Sequence, residues 1–241
     1  MDKYKIPHND CWSNVVITPG TKFMEKLDKS IREFINSHSE KAKIVYSSYK
    51  EEGEGEHKIF DFIRQNPEEH NDSLNTVIYG LDADLIMLSI NHLPVCPNIF
   101  LFRETPQFIQ SINSDLEPNE NYVLDIPELS NNIAYYMTTE NSDMTIDRTT
   151  DYIFLCFLLG NDFLPHFPSM NIRTHGIQVL LDVYVKYIAN NSSSFLITKQ
   201  TKEIDWPKVF ILIKHIALNE QQLLVEEYSV RDKFDNKKRN I

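Results

Sequence analysis

Thr76-Val77-Ile78-Tyr79-Gly80-Leu81-Asp82-Ala83-Asp84-Leu85-Ile86-Met87-Leu88-Ser89-Ile90 is the stretch on which the fold turns. Its first residues are β-branched or aromatic and end at a glycine, which predicts a strand over Thr76 to Gly80. The apolar run that follows predicts a helix over Ala83 to His92, directly behind that strand. Working outward, Lys43 to Ser48 (with Ile44, Val45 and Tyr46 at its centre), Asn98 to Phe102 and Tyr122 to Leu124 are further strand candidates. Phe23, Met24, Leu27, Ile31, Phe34 and Ile35 recur at helical spacing after Pro19-Gly20, predicting a helix over Thr21 to Ser37, and another is expected over His57 to Arg64. Short strands alternating with helices point to an α/β fold with a mostly parallel sheet flanked by helices.

From Arg148 onward the pattern turns helical. Tyr152 to Leu159 is apolar all round and is expected to be buried. Thr174 is expected to cap a helix bearing Ile177, Leu180, Leu181, Tyr184 and Ile188. Asp205 is expected to cap another, with Pro207 in its first turn and Val209, Phe210, Ile213, Ile216 and Ala217 on one face. Residues 104–121, 139–147 and 190–194 read as loops, and the charged tail Arg231 to Arg239 as frayed. The organisation expected is an α/β part over 13–147 and a helical part over 148–235, joined in one folding unit.

The composition fits this reading. Of 241 residues, 41% are hydrophobic and 24% charged, with only 6 glycines, the profile of a chain that buries a core. No run of eighteen apolar residues is present, which excludes a membrane-spanning helix, and Met1 to Asn14 offers no apolar stretch for a signal peptide. Cys11, Cys96 and Cys156 are odd in number and lack CxxC spacing, so a disulfide framework is not expected and a reducing compartment is. The net charge of −11 is not that of a general nucleic-acid binder. A knot of carboxylates that holds cations would nonetheless add to that sum without repelling an anionic substrate.

Three segments carry candidate chemistry. In Gly53-Glu54-Gly55-Glu56-His57-Lys58 two glutamates stand two apart; an extended loop would aim both at one point, whereas taken alone the segment reads more readily as a solvated acidic loop beside Glu51 and Glu52. Asp82 and Asp84 repeat that spacing just past the end of a strand, where open α/β sheets place ligands; a helix N-cap followed by a first-turn acid is the other reading. An EF-hand loop from Asp82 fails, since Met87 and Leu93 stand where glycine and glutamate are needed. In Gly160-Asn161-Asp162-Phe163-Leu164-Pro165-His166 an apolar helix runs into an aspartate, which is either a closing turn or a site acid. Five carboxylates without thiolates or clustered histidines suit a hard cation such as Mg²⁺ or Mn²⁺, and can hold a two-metal site for phosphodiester hydrolysis.

GEGEHK at 53–58, YGLDADLI at 79–86 and FLLGNDFLPH at 157–166, preceded by ITPGTKFM at 17–24, resemble in order the 5′→3′ exoribonucleases of the Xrn family, within the FEN/PIN-like metal-dependent 5′ nucleases. The resemblance implies a PIN/FEN-like sheet with a helical C-terminal portion. It also implies that Glu54, Glu56, Asp82, Asp84 and Asp162 are catalytic, metal-binding acids, and that single-stranded RNA with a 5′ monophosphate is degraded to mononucleotides. In the family a segment before ITPGT supplies the first strand, two further acids and the basic helix that grips the 5′ phosphate. The expectation is therefore the C-terminal part of the catalytic region, as a truncated or split chain, weakly active alone and completed by a complementary N-terminal fragment. The alternatives are a FEN-like DNA 5′ nuclease and an inactive RNA- or protein-binding remnant. A cytoplasmic location is expected, with a nuclear one as the alternative, and no membrane partner.

Overall fold

In the computed structural model the described residues are 13–38, 42–105, 109–118, 120–138, 145–161, 164–172, 174–191, 193–198 and 201–239. The elements follow in the order α1 (Lys22–His38), α2 (Gly55–Gln65), β1 (Thr76–Tyr79), α3 (Asp84–His92), β2 (Ile99–Arg103), α4 (Ile109–Ile112), β3 (Tyr122–Asp125), α5 (Ile126–Tyr136), α6 (Thr145–Phe157), α7 (Gly176–Tyr187), α8 (Trp206–Ala217) and α9 (Glu220–Arg239). The chain divides into two compact units, Met1–Phe62 and Ile63–Ile241, with the boundary inside α2.

In the first unit, α1 and α2 form where helical periodicity places them. The strand expected over Lys43 to Ser48 does not form: the segment belongs to no sheet. Its polar ends explain why. The Ser47 hydroxyl donates to the Glu51 carboxylate and the Lys50 N–H to Ser48 Oγ, so the C-terminal end folds into a turn. Tyr46 donates its hydroxyl to Asp28 Oδ1 at 3.0 Å, which ties the segment to α1 by a side chain instead of a backbone ladder.

In the second unit β1, β2 and β3 form one sheet in that order. Strand β1 runs parallel to β2, in the register Thr76↔Ile99 to Tyr79↔Phe102, while β2 and β3 are antiparallel. The sheet is therefore mixed, not mostly parallel. A parallel return needs a long crossover, which α3 supplies between β1 and β2; among the described residues the β2–β3 connection holds the four-residue α4. The inward side chains Ile78, Ile99 and Leu101 are buried, and α3 and α5 pack against β2.

Helix α5 lies outside the elements expected from sequence, although its start is plainly written there. Asp125 ends β3 and caps the helix, accepting from the Glu128 N–H at 2.9 Å, and Pro127 occupies the first turn. Helix α6 starts at Thr145, inside the expected loop, and is not buried all round: Leu155 is fully buried but Phe157 is half exposed. Thr174 does not cap α7, whose N-cap is His175; its hydroxyl donates to Asn171 O at 3.0 Å and to Glu227 Oε2 at 2.7 Å. Asp205 does cap α8, accepting from the Lys208 N–H with Pro207 in the first turn. The buried stripe of α8 is Val209, Leu212 and Ile216; Phe210, expected on that face, points to solvent, as does Ala217. The tail is not frayed, since α9 continues to Arg239. Glu227 anchors it through Thr174 and through Arg231 one turn on, at 2.9 Å. The helical core gathers Met137, Leu155, Leu159, Leu180, Tyr184 and Leu212.

Candidate catalytic site

Gly53, with φ +93°, turns the chain into α2. Glu54 precedes the helix; its carbonyl accepts from the Lys58 N–H at 3.1 Å and its carboxylate lies 3.6 Å from His57 Nδ1. Glu56 sits in the first helical turn, where the macrodipole favours a carboxylate. The reading of an extended loop that aims Glu54 and Glu56 the same way is thereby corrected, since Glu56 is already helical. Glu54 is exposed and Glu56 half-buried. Lys58 folds back, its ammonium donating to Ser48 O at 3.1 Å and Glu51 O at 2.7 Å, and so staples the loop ahead of the glutamates.

Asp82 lies three residues beyond the last of β1, and Asp84 is the first residue of α3. The Asp84 N–H faces Asp82 Oδ1 at 3.4 Å, a local turn that orients the first carboxylate at the helix start. Both aspartates are exposed. A Cβ at Gly80 would fall 2.2 Å from Leu85 Cδ1, so any larger residue there would force that methyl to shift. Two groups beside this crevice were missed by the sequence reading. The Arg103 guanidinium, at the end of β2, donates to Leu81 O, and Tyr79 donates to Glu104 Oε1 at 3.0 Å. The parallel pairing of β1 with β2 puts them there, which is a tertiary fact with no local signature.

Asp162 lies outside the described residues. Its flanks form a tight reversal: Asn161 N–H donates to Leu164 O at 2.9 Å and Leu164 N–H to Asn161 Oδ1 at 2.8 Å. Gly160 has φ +86°, and a Cβ there would lie 2.7 Å from the His166 backbone nitrogen, so only glycine serves.

Among the described residues no group of three or more His, Cys, Asp or Glu is placed to hold a metal ion. Glu54 and Glu56 belong to the first unit and Asp82 and Asp84 to the second. The donor chemistry of the exposed Asp82–Asp84 pair fits a hard divalent cation, since both donors are carboxylate oxygens and no thiolate competes. The acid with the clearest burial effect lies elsewhere. Burial pushes the Asp151 carboxyl above the ordinary aspartate value, against the opposing pull of Tyr184, the Leu196 and Ile197 N–H groups and Arg148. Tyr184 donates to Asp151 at 2.5 Å, while Arg148 donates to Tyr184 Oη at 2.6 Å and Ser194 O at 2.7 Å. These bonds clamp residues 191–197 onto α6 and α7. Perturbed acids often mark active sites, but this one is enclosed by structural partners. Cys156 is equally unsuited to chemistry, burial pushing its thiol up to about 11.

With this geometry in hand, the chain was compared with known proteins. The family model described as XRN 5'-3' exonuclease N-terminus matches residues 2–105, and that described as Xrn1 helical domain matches residues 141–241. The chain belongs to the Xrn family. It is 30% identical to 5'-3' exoribonuclease 2 of Arabidopsis thaliana, over 90% of this chain and 25% of that protein. With 5'-3' exoribonuclease 2 of Saccharomyces cerevisiae it is 29% identical, over 94% of this chain and 25% of the relative. It is also 35% identical to 5'-3' exoribonuclease 1 of the same yeast, over 75% of this chain and 13% of that protein. This Xrn-family chain therefore spans a quarter or less of the length of these relatives. The mixed sheet lies in the region matched by the first family model, apart from β3 and α5, and the helices from α6 to α9 lie in the second.

Proposed function

We propose that this chain carries catalytic acids of a 5′→3′ exoribonuclease that hydrolyses 5′-phosphorylated single-stranded RNA to mononucleotides. The observation that carries the reading is the exposed Asp82–Asp84 pair past the end of β1, in a chain of the Xrn family. Asp82, Asp84 and Asp162 are assigned as ligands of Mg²⁺ or Mn²⁺, with Glu54 and Glu56 completing the set. The bound cation supplies a water of lowered pKa and stabilises the leaving 3′ oxygen. The chain's own residues prepare for that task. The turn between Asp82 and the Asp84 N–H fixes one carboxylate, and the Lys58 staple holds the loop that leads to Glu54. Arg103, held against Leu81 O, brings positive charge to the strand end, where a phosphate approaching two carboxylates needs it.

The test is cleavage of 5′-phosphorylated RNA, 5′-hydroxyl RNA and 5′-flap DNA, each with Mg²⁺ or Mn²⁺. It is run with the chain alone and with the segment that precedes the matching region in a longer relative added in trans. Release of mononucleotides from the 5′-phosphorylated RNA, lost in Asp82→Ala and in Asp162→Ala, is the expected outcome. Preference for flap DNA, or cleavage that survives both substitutions, overturns the reading.

A further inference from the structure

Helix α8 buries one stripe and leaves the other bare. Trp206 is 64% and Phe210 68% exposed, one turn apart on the same side, and the exposed Lys214 continues that row. Single exposed rings are ordinary, and the chain has others, but two one turn apart form a continuous apolar strip along one helix face. The neighbouring end of α7 adds a second planar surface: Tyr187 and His215 stack with centroids 3.5 Å apart and planes 6° apart, and the Lys186 ammonium lies 5.1 Å from the Tyr187 centroid.

The charge of this region is opposite to that of the chain. From Val183 to Asn219, between Asp182 and Glu220, the sequence holds five lysines against Glu203 and Asp205, in a chain of net −11. No acid occurs within α8, and Asp205 just before it is neutralised by Lys208 at 2.9 Å. Two exposed rings and an exposed cation in a row, on a helix that carries no acid, match a ligand that offers flat π-faces and a negative backbone, which is single-stranded nucleic acid.

We propose that the solvent face of α8 is a stacking platform for single-stranded RNA, with Trp206 and Phe210 receiving successive bases and Lys214 facing the phosphates. The platform is separate from the carboxylates at the end of β1 and needs no cation, so it stands or falls apart from the assignment of the catalytic acids. Ile211 and Leu218 are also exposed on α8 and just beyond it, which gives a protein segment as the rival occupant.

The experiment uses the 241-residue chain with Trp12→Phe, which leaves Trp206 as the sole tryptophan. A short 5′-hydroxyl oligouridylate is titrated in the presence of EDTA, where nothing is cleaved, and Trp206 fluorescence is followed. Saturable quenching is expected, with affinity falling as salt rises by a log–log slope of about 0.7 for each phosphate engaged. Phe210→Ala should weaken binding roughly ten-fold, as loss of one stacked base does, and Lys214→Glu should weaken it and lower the salt slope. Both positions are exposed, and the far-ultraviolet circular dichroism of each variant checks that the helix persists. Asp82→Ala should leave the quenching intact even if it abolishes cleavage. Absence of quenching, or quenching indifferent to both Phe210→Ala and Lys214→Glu, overturns the proposal. So does shielding of Trp206 by concentration-dependent self-association without RNA, which would hand the face to a protein partner.

Discussion

The aspartate at the end of β1 and the aspartate in the middle of α6 are treated oppositely by the same chain. Asp151 is fully buried, and both of its oxygens accept hydrogen bonds, from Tyr184 and from the Leu196 and Ile197 N–H groups. Asp82 is exposed, and the bond recorded for it is one long local turn. A carboxylate whose lone pairs are spent on the protein holds a fold together; one presented to solvent on a short turn is available to a ligand. Perturbation alone would select Asp151, because burial drives the shift there, and a ligand site need not be dry before its ligand arrives. The difference can be attacked from both ends.

The largest effect is expected from Arg148→Met. Arg148 is fully buried between Tyr184, Ser194 and the Phe195 ring, whose centroid lies 4.4 Å from the guanidinium carbon. Removing it takes the donor from Tyr184 Oη and Ser194 O, and each buried acceptor left unsatisfied costs about 1–3 kcal/mol. Urea unfolding should show that loss, and Arg148→Lys, which keeps a cationic donor without the forked guanidinium, should lose less. An Arg148→Met variant as stable as the parent chain would mean that the guanidinium does not hold Ser194 and Tyr184 in place.

A smaller, signed effect follows from pH. Because burial raises the folded Asp151 value above the unfolded one, the folded chain takes up the proton more readily, and ionising the group costs stability. Its contribution therefore falls as pH rises from the ordinary aspartate range through the raised value, then levels off. Unfolding free energies measured across that window should slope downward in the parent chain and flatten in Asp151→Asn. A slope of the other sign would show that Arg148 and the three hydrogen bonds outweigh burial.

These two regions were also unequally legible in the sequence. Strand β1, α3 and Asp82 were readable because periodicity, a glycine and a strand-end acid are all local signals. The Asp125-Ile126-Pro127-Glu128 start of α5 was local as well, and was overlooked beside the strand that runs straight into it. The antiparallel β3 was not legible, since direction depends on the path of residues 104–121. Nor was the Arg148–Asp151–Tyr184 clamp: Arg148 and Asp151 are one turn apart, but their acceptors and donors lie more than thirty residues on and meet them only in the fold. Phe210 was misplaced for a related reason, as hydrophobicity marks a helix face but does not say whether that face is covered.

Asp205 gives a middle case, an acid half spent on the fold. It caps α8 and pairs with Lys208 at 2.9 Å. Asp205→Ala should cost about 1 kcal/mol, the usual worth of an N-cap. Lys208 holds the Asp205 carboxyl below the ordinary value, so its contribution is present above the unfolded value and is lost as pH falls through the lowered one. That is the reverse of Asp151, and the two variants should tilt the pH profile of stability in opposite directions.

The smallest effect on stability is expected at Asp82. The side chain is exposed, and its recorded bond, to the Asp84 N–H, is 3.4 Å long. A surface substitution with so little to lose should change the unfolding free energy by no more than about 0.5 kcal/mol. The contrast with Arg148→Met then becomes a test of kind as well as size. If Asp82 is held open for a cation, Mg²⁺ or Mn²⁺ should raise the melting temperature of the parent chain by linkage, because the ion binds the folded state preferentially. Asp82→Ala should abolish that rise while leaving the melt without metal unchanged, and Arg148→Met should lower the melt but keep the metal-induced rise. A metal effect that survives Asp82→Ala would move the cation away from the end of β1. A large loss of stability in Asp82→Ala without metal would make Asp82 a second structural acid and erase the distinction between the two regions.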